Sequence, residues 1–491
     1  MASNLSEMSS SLETVQPSDV DFEQALRFEN GDGVEIDLDK AFDLFKRFFL
    51  SKSKAVDGEK RQAEEWEKVE FQTWERLAGK GHVGSMYLLG SCYDEGKGVA
   101  QNKREAMRLF KTAAEQGNCD AMNRLGIIFY SKHRGAQDWE KAVELFMKAA
   151  SKGDMQGMFN IGMCYHIGRG TERNKAKAFE WFVKAANNGQ IRAMNRVARY
   201  YYTGEGVTQD YTKAFEWFMK AAEKGSVAAM FNLGVFYSNG VGVVQDKTKA
   251  FEWYLKAAEN GNVDAMLFVG CCFDNGEGVK QDKTKAFEWY LKSAENGNAD
   301  AMHNVGCCYN KGKGVKQDDE KAFEWWLKAA QNGNAGSMNN VGLCYLDGKG
   351  VARDIDKSFE WYLKSAQNGN VSAMNEVGVC YADGQGVGMN KEKAFEWYLK
   401  SAESGFDVAM YNVAWCYENG EGVPQNKDKA CQWYMKAASN GNTKAMCNLG
   451  VCYLDGEGVA KDEEKALEWF LKAAEKGNDL AMYNIRTYFS H

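Results

Sequence analysis

A chain of 491 residues is too long for one compact core, and calls for several domains or a repeat array. A formal net charge of -7 without any long basic run argues against nucleic acid as the main partner. Two prolines, Pro17 and Pro424, stand against 50 glycines, and together with abundant aromatics, Ala, Glu and Lys they point to a mostly helical chain.

In chain order, residues 1–19 are polar and serine-rich, and are expected to be disordered. They lack the basic region and apolar run of a secretory leader. No later stretch approaches the roughly 18–20 apolar residues of a membrane helix, so no membrane span is expected and a cytoplasmic location is the default. Thirteen cysteines would be reduced there, and an odd number suits a closed disulfide framework poorly. Residues 20–84 read as an N-terminal cap. Phe28 to Phe48 resembles a degenerate copy of the repeat that follows, with Gly31, Gly33, Ala41 and Phe42 in place, and an inserted helical stretch comes after it.

Residues 85–480 read as eleven repeats. Methionines recur every 36 residues at Met86, Met122, Met158, Met194, Met230, Met266, Met302, Met338, Met374, Met410, Met446 and Met482. Such self-similarity is a solenoid signature. In one repeat, Met266, Val269, Gly270 and Phe273 share a face of a first helix, A, which stops at Gly276 and Gly278. A second helix, B, begins after Asp282. That position is Asp or Asn throughout: Asn102, Asp138, Asn174, Asp210, Asp246, Asp282, Asp318, Asp354, Asn390, Asn426 and Asp462. This is the placement of an N-cap. Ala286, Phe287, Trp289, Tyr290, Ser293 and Ala294 supply helix B's packing, Glu288 and Lys292 form an i,i+4 pair, and Gly297 ends the helix. Residues 481–491 are a lone helix A, expected to cap the array with a polar face.

The repeat resembles the Sel-1-like family, relatives of tetratricopeptide repeats, through Ala265, Gly270, Phe273, Gly276, Gly278, Val279, Ala286, Trp289, Tyr290, Ala294 and Gly297. The resemblance implies an all-α fold, a right-handed α/α superhelix, that binds proteins or peptides as a scaffold or adaptor. Some relatives activate a partner enzyme, and some cysteine-rich bacterial members are associated with β-lactam binding. Regulatory subunit and hydrolase or β-lactam-binding protein are therefore the alternatives.

No catalytic set, cofactor site or metal site stands out. The motif Gly79 to Gly84 fits a nucleotide-binding glycine pattern but falls at a turn between helices, and Ser51 to Lys54 fits SxxK without its companion elements. The paired cysteines differ in role. Cys272 belongs to a column with Cys92, Cys164, Cys308, Cys344, Cys380, Cys416 and Cys452, in which Ile128, Tyr200 and Phe236 substitute. Apolar substitutes mark a packing position. Cys271 and Cys307 point elsewhere and are expected to be more accessible. The tryptophan column from Trp181 to Trp469 reads as core.

The candidate partner surface is the other face of helix A, expected to be concave. Asn160, Asn232, Asn304, Asn340, Asn412, Asn448 and Asn484 share one position, with Arg124, Arg196 and Glu376 replacing them elsewhere. An asparagine inside a helix costs about 0.6 kcal/mol relative to alanine. Two readings offset that cost: hydrogen bonds to a neighbouring repeat, or an amide ladder for an extended peptide. Tyr411 and Trp415, like Phe159 with Met163 and Leu267 with Cys271, add apolar pairs at i,i+4 that suit either a partner or contact with the next helix A.

Overall fold

The computed structural model describes residues 17–55, 60–131 and 135–489, with side chains from 20–53, 63–131 and 135–489. The expected disordered segment lies outside the described residues up to residue 16, and helix begins at Pro17. Among the described residues there are 26 helices and no strand. Consecutive helices pair, and the pairs stack in sequence as a solenoid. The chain divides into two compact halves, Met1–Gln245 and Asp246–His491.

The repeat at the centre of the C-terminal half shows why this sequence folds so. Helix A, Ala299–Lys311, starts at Asn298, whose side chain accepts the Ala301 N–H at 2.8 Å. It ends at Gly312, whose φ of +64° closes the last turn. Helix B, Asp319–Gln331, starts at Asp318, which accepts the Lys321 N–H at 3.0 Å. The expected helix B caps hold at Asn102, Asn174, Asp210, Asp246, Asp282, Asp354, Asn390, Asn426 and Asp462 as well. Asp138 is the exception. In its repeat, helix Ala136–Ser151 begins earlier, and Gly135 occupies the cap position without a side-chain bond. Residues 132–134 of that repeat lie outside the described residues.

Within a repeat, the helix A glycine lets helix B cross closely. A Cβ on Gly306 would lie 2.5 Å from Trp326 of helix B, and one on Gly342 would lie 2.7 Å from Tyr362. Ala198 and Ala414, which replace this glycine, are fully buried.

Between repeats, three contacts recur. The second turn glycine lies against the start of the preceding helix B, as Gly314 does on Lys283 and Gly350 on Asp319. The helix B phenylalanine meets the next repeat's tyrosine edge to face, with ring centroids 5.4 Å apart for Phe287 and Tyr309 and for Phe323 and Tyr345. The helix A cap also reaches back: Asn298 Nδ2 donates to Asp264 at 3.0 Å, and Asn334 Nδ2 to Asp300 at 2.8 Å.

Three expectations need correction. The tryptophan column is half-buried, not core, because each ring carries a lysine over its outer face. Lys292 lies 4.3 Å from the Trp289 centroid, and Lys328 lies 4.4 Å from Trp325. Lys292 makes no ion pair with Glu288, although the equivalent Lys472 meets both Trp469 and Glu468. Finally, the last helix, Asp479–Phe489, is not polar outside, since Leu480, Tyr483 and Tyr488 are all more than half exposed.

At the N-terminal end, helices Pro17–Asn30, Leu38–Ala55 and Lys60–Gly79 share a core of Phe45, Phe48, Trp74 and Leu77 with Leu89 and Cys92 of the first full repeat. Glu29 is buried there and takes both arms of the Arg76 fork, at 2.6 and 2.7 Å, plus Lys80 at 2.9 Å. Burial alone would raise its pKa, but the two cations hold it below the usual carboxylate range.

Candidate functional site

Helix B covers one face of each helix A, and the asparagine column lies on another. The structure gives its members different fates. In the N-terminal half, Asn160 donates to Asn123 Oδ1 of the preceding repeat at 3.2 Å and accepts from Gln156 at 2.8 Å. Asn232 donates to the Ala228 carbonyl of its own helix at 2.7 Å. In the C-terminal half, Asn412 donates to Asn375 Oδ1 at 2.8 Å. Asn448 lies within hydrogen-bonding reach of the Tyr411 and Tyr434 hydroxyls. Asn484 is buried, with its amide 3.8 Å from Cys447 Sγ.

Asn304 and Asn340 differ from all of these. Both are half-buried, and neither makes a side-chain hydrogen bond to any described residue. The cause can be read from the residue 37 positions earlier. That residue is Asn123 for Asn160, Asn375 for Asn412 and Tyr411 for Asn448, each with a polar atom to offer. For Asn304 it is Leu267, which has none. For Asn340 it is His303, whose ring nitrogens are engaged by Ser337 Oγ at 2.8 Å and Cys307 Sγ at 3.5 Å. Asn232 is an exception: Asn195, 37 positions earlier, has a side-chain oxygen with no hydrogen-bond partner among the described residues, and Asn232 still bonds within its own helix.

Asn340 lines a cleft of about 220 Å³ with Cys307, Trp326, Leu343, Lys311 and Lys349. Trp326 was not singled out by the sequence reading, yet it is the one tryptophan in a helix B column otherwise filled by phenylalanine and tyrosine. Its indole N–H donates to the His303 carbonyl at 3.2 Å, so the ring is satisfied where it lies. Leu343, 45% exposed, gives the cleft an apolar wall.

The apolar pairs separate. Trp415 is 41% exposed, whereas Tyr411 is half-buried with its ring 5.7 Å from Tyr434 and its hydroxyl engaged by Asn448. Phe159 is a core residue against Phe182, contrary to the expectation of an open-face anchor, because the helix B ring reaches under it.

The thiols follow the expected order of exposure. Cys271 and Cys307 are half-buried, and Cys272 and Cys308 are buried. Burial pushes all four thiols up, Cys272 and Cys308 to about 11. A thiol so placed is a poor nucleophile at neutral pH. Among the described residues, no three His, Cys, Asp or Glu side chains are grouped to hold a metal ion. His133 and His491 lie outside the described residues. His82 caps helix Val83–Glu95, accepting the Ser85 N–H at 3.1 Å, so the glycine motif around it is an interhelical turn. Ser51 and Ser53 donate to carbonyls of their own helix, at 2.7 and 3.0 Å.

Helix pairs repeating every 36 residues, stacked through glycine contacts and asparagine caps, define an α-solenoid repeat protein. A model of the Sel1 repeat matches residues 25–48 and eleven further segments between 83 and 478, twelve in all. The chain belongs to the Sel1 repeat family. Among solved structures it is similar to c5321, a protective antigen of uropathogenic Escherichia coli displaying an SLR fold, at 33% identity and a TM-score of 0.69, over 85% of this chain and 89% of that one. It is also similar to a Sel1 repeat protein from Oxalobacter formigenes, at 29% identity and a TM-score of 0.54, over 62% of this chain and 88% of that one. No curated protein matches the sequence. Sel1 repeat proteins are generally protein-interaction scaffolds and typically not enzymes. Among the described residues no helix is long and apolar enough to cross a membrane.

Proposed function

We propose that this protein is a non-catalytic scaffold that binds an extended segment of a partner protein on the helix A face of its C-terminal half. Asn304 and Asn340 offer paired donors and acceptors to the partner's backbone, and the cleft between Cys307, Trp326 and Leu343 receives an apolar side chain. The observation that carries this reading is the pair of unspent amides. Each asparagine costs helix stability, and at these two positions no side-chain hydrogen bond to a described residue offsets it. Trp415 supplies a further exposed anchor of the type enriched at interfaces. Of the engaged asparagines, Asn160, Asn412 and Asn448 serve the array itself, and Asn232 is bound within its own helix. Thirteen cysteines, all free, fit a reducing cytoplasm.

The test uses a peptide selected on the full chain from a displayed random library. Asn304→Ala with Asn340→Ala should weaken that peptide by about 5- to 150-fold, for two lost hydrogen bonds of 1–3 kcal/mol in total. The melting temperature should not fall, because no side-chain hydrogen bond to a described residue is removed. Unchanged affinity for every selected peptide would sink the assignment.

A further inference from the structure

The N-terminal half holds a feature independent of the C-terminal amides. Helix Ile191–Thr203, IRAMNRVARYYYT, contains three arginines and no acidic residue. Arg192, Arg196 and Arg199 fall at i, i+4 and i+7, hence on one side of the helix. Arg196 occupies the asparagine column, between Asn160 and Asn232.

Arg196 is half-buried, and Arg192 and Arg199 are exposed. None of the three forms an ion pair with any described carboxylate. Arg192 instead lies over the Phe159 ring, 5.0 Å from its centroid. The charged groups acting on Arg196 are Arg199 and Arg192, both of its own sign, beside the Tyr200 hydroxyl. The nearby Glu205 is taken by Lys175, and the Tyr200 hydroxyl by His166 at 2.6 Å.

Arg124, in the same column two repeats earlier, shows the contrast. It pairs with buried Asp94, which Lys103 also meets at 2.7 Å. The position equivalent to Asp94, 30 residues before Arg196, is His166, which carries no carboxylate. A half-buried guanidinium with like charges beside it and no counter-ion is unfavourable on its own. The shortage is local, since the chain carries 68 acidic against 61 basic residues.

We propose that Arg192, Arg196 and Arg199 form a carboxylate-binding site for an acidic segment of a partner protein. The guanidinium fork suits carboxylate pairing. Four residues of helix advance about 6 Å, close to the roughly 6.7 Å between alternate residues of an extended chain. Alternate Asp or Glu residues would therefore meet Arg192 and Arg196 in register. The chain's net negative charge disfavours a long polyanion such as nucleic acid at the same place.

The experiment measures fluorescence anisotropy of a labelled peptide of alternating glutamate and serine with the full chain. Binding should weaken as salt rises, and should drop about tenfold or more in Arg196→Gln with Arg199→Gln. Alternating glutamine and serine should not bind, and Arg47→Gln, at an exposed arginine elsewhere in this half, should bind as the parent does. The double variant should melt no lower than the parent, because it loses only unpaired like charges. Parent-like peptide affinity in the double variant would overturn the site. So would a lowered melting temperature in the double variant together with no peptide binding by the parent. Tighter binding of single-stranded oligothymidylate than of the acidic peptide would reassign the patch to nucleic acid and overturn the proposal as well.

Discussion

Gly314 rests directly on the backbone of Lys283, one repeat earlier: a Cβ at Gly314 would stand 1.9 Å from the Lys283 carbonyl oxygen. The glycine also has a φ of +71°. Gly314→Ala therefore meets two penalties, about 1–2 kcal/mol for the left-handed backbone and about 1–3 kcal/mol for overpacking. We predict a total loss of about 2–5 kcal/mol. Hydrogen exchange should show the damage at the Gly312 to Gly314 turn and the start of helix Lys283–Glu295, the two sides of one repeat boundary. Uniform loss of protection across the C-terminal half would instead mean that its repeats unfold as one cooperative block.

Gly306 is crowded by a different neighbour, Trp326 of its own repeat. Gly306→Leu should destabilise by about 1–3 kcal/mol or more. The first amides to exchange should be those of Ala299–Lys311 and Asp319–Gln331. Adding Trp326→Ala should recover part of the loss, because it removes the ring that the new side chain strikes. Failure of that second change to help would place the clash elsewhere.

Glu29 gives the N-terminal cap an acid sensitivity. Its carboxyl is held below its unfolded value of about 4.3 by Arg76 and Lys80. A depressed carboxylate contributes stability that is present above the unfolded value and lost as pH falls through the folded one. Arg76→Ala should cost about 3 kcal/mol at neutral pH, the lower end for breaking a buried pair because Lys80 remains. Melting followed against pH should show a smaller acid-induced loss in Arg76→Ala than in the parent. An equal loss in both would remove Glu29 as the source.

For the thiols, maleimide should label Cys271 and Cys307 before Cys272 and Cys308, in keeping with their exposure. All four should be slow at neutral pH and accelerate as pH rises, since burial keeps each thiol protonated. Peptide mapping after timed labelling reads the order. Faster reaction at Cys308 than at Cys307 would reverse the assignment of helix A's faces.

The helix pairs were legible in the sequence because their causes are local. An Asp or Asn ahead of helix B and a glycine behind helix A act within a few residues, so Asp318 and Gly312 announce themselves. The candidate site was legible only as a column. Seven asparagines look alike in sequence, and what separates Asn304 from Asn412 is whether position 267 or position 375 carries an acceptor, one repeat away. The inter-repeat amide bonds also lie on a second set of asparagines, Asn298 and Asn334, whose capping role hid their reach to Asp264 and Asp300. Trp289 misled for a related reason, because a lysine three residues on can shield a ring as a packed neighbour does.

The bonds from Asn298 to Asp264 and from Asn334 to Asp300 run backwards along the chain, as does the seat of Gly314 on Lys283. Each of these repeats thus completes its own entry turn on a surface that its predecessor already presents. A polypeptide leaves the ribosome amino end first, so that surface has been synthesised before the repeat that needs it. Growth can then proceed like the laying of courses, with an exposed docking edge that is renewed at every step and no need to wait for distant sequence.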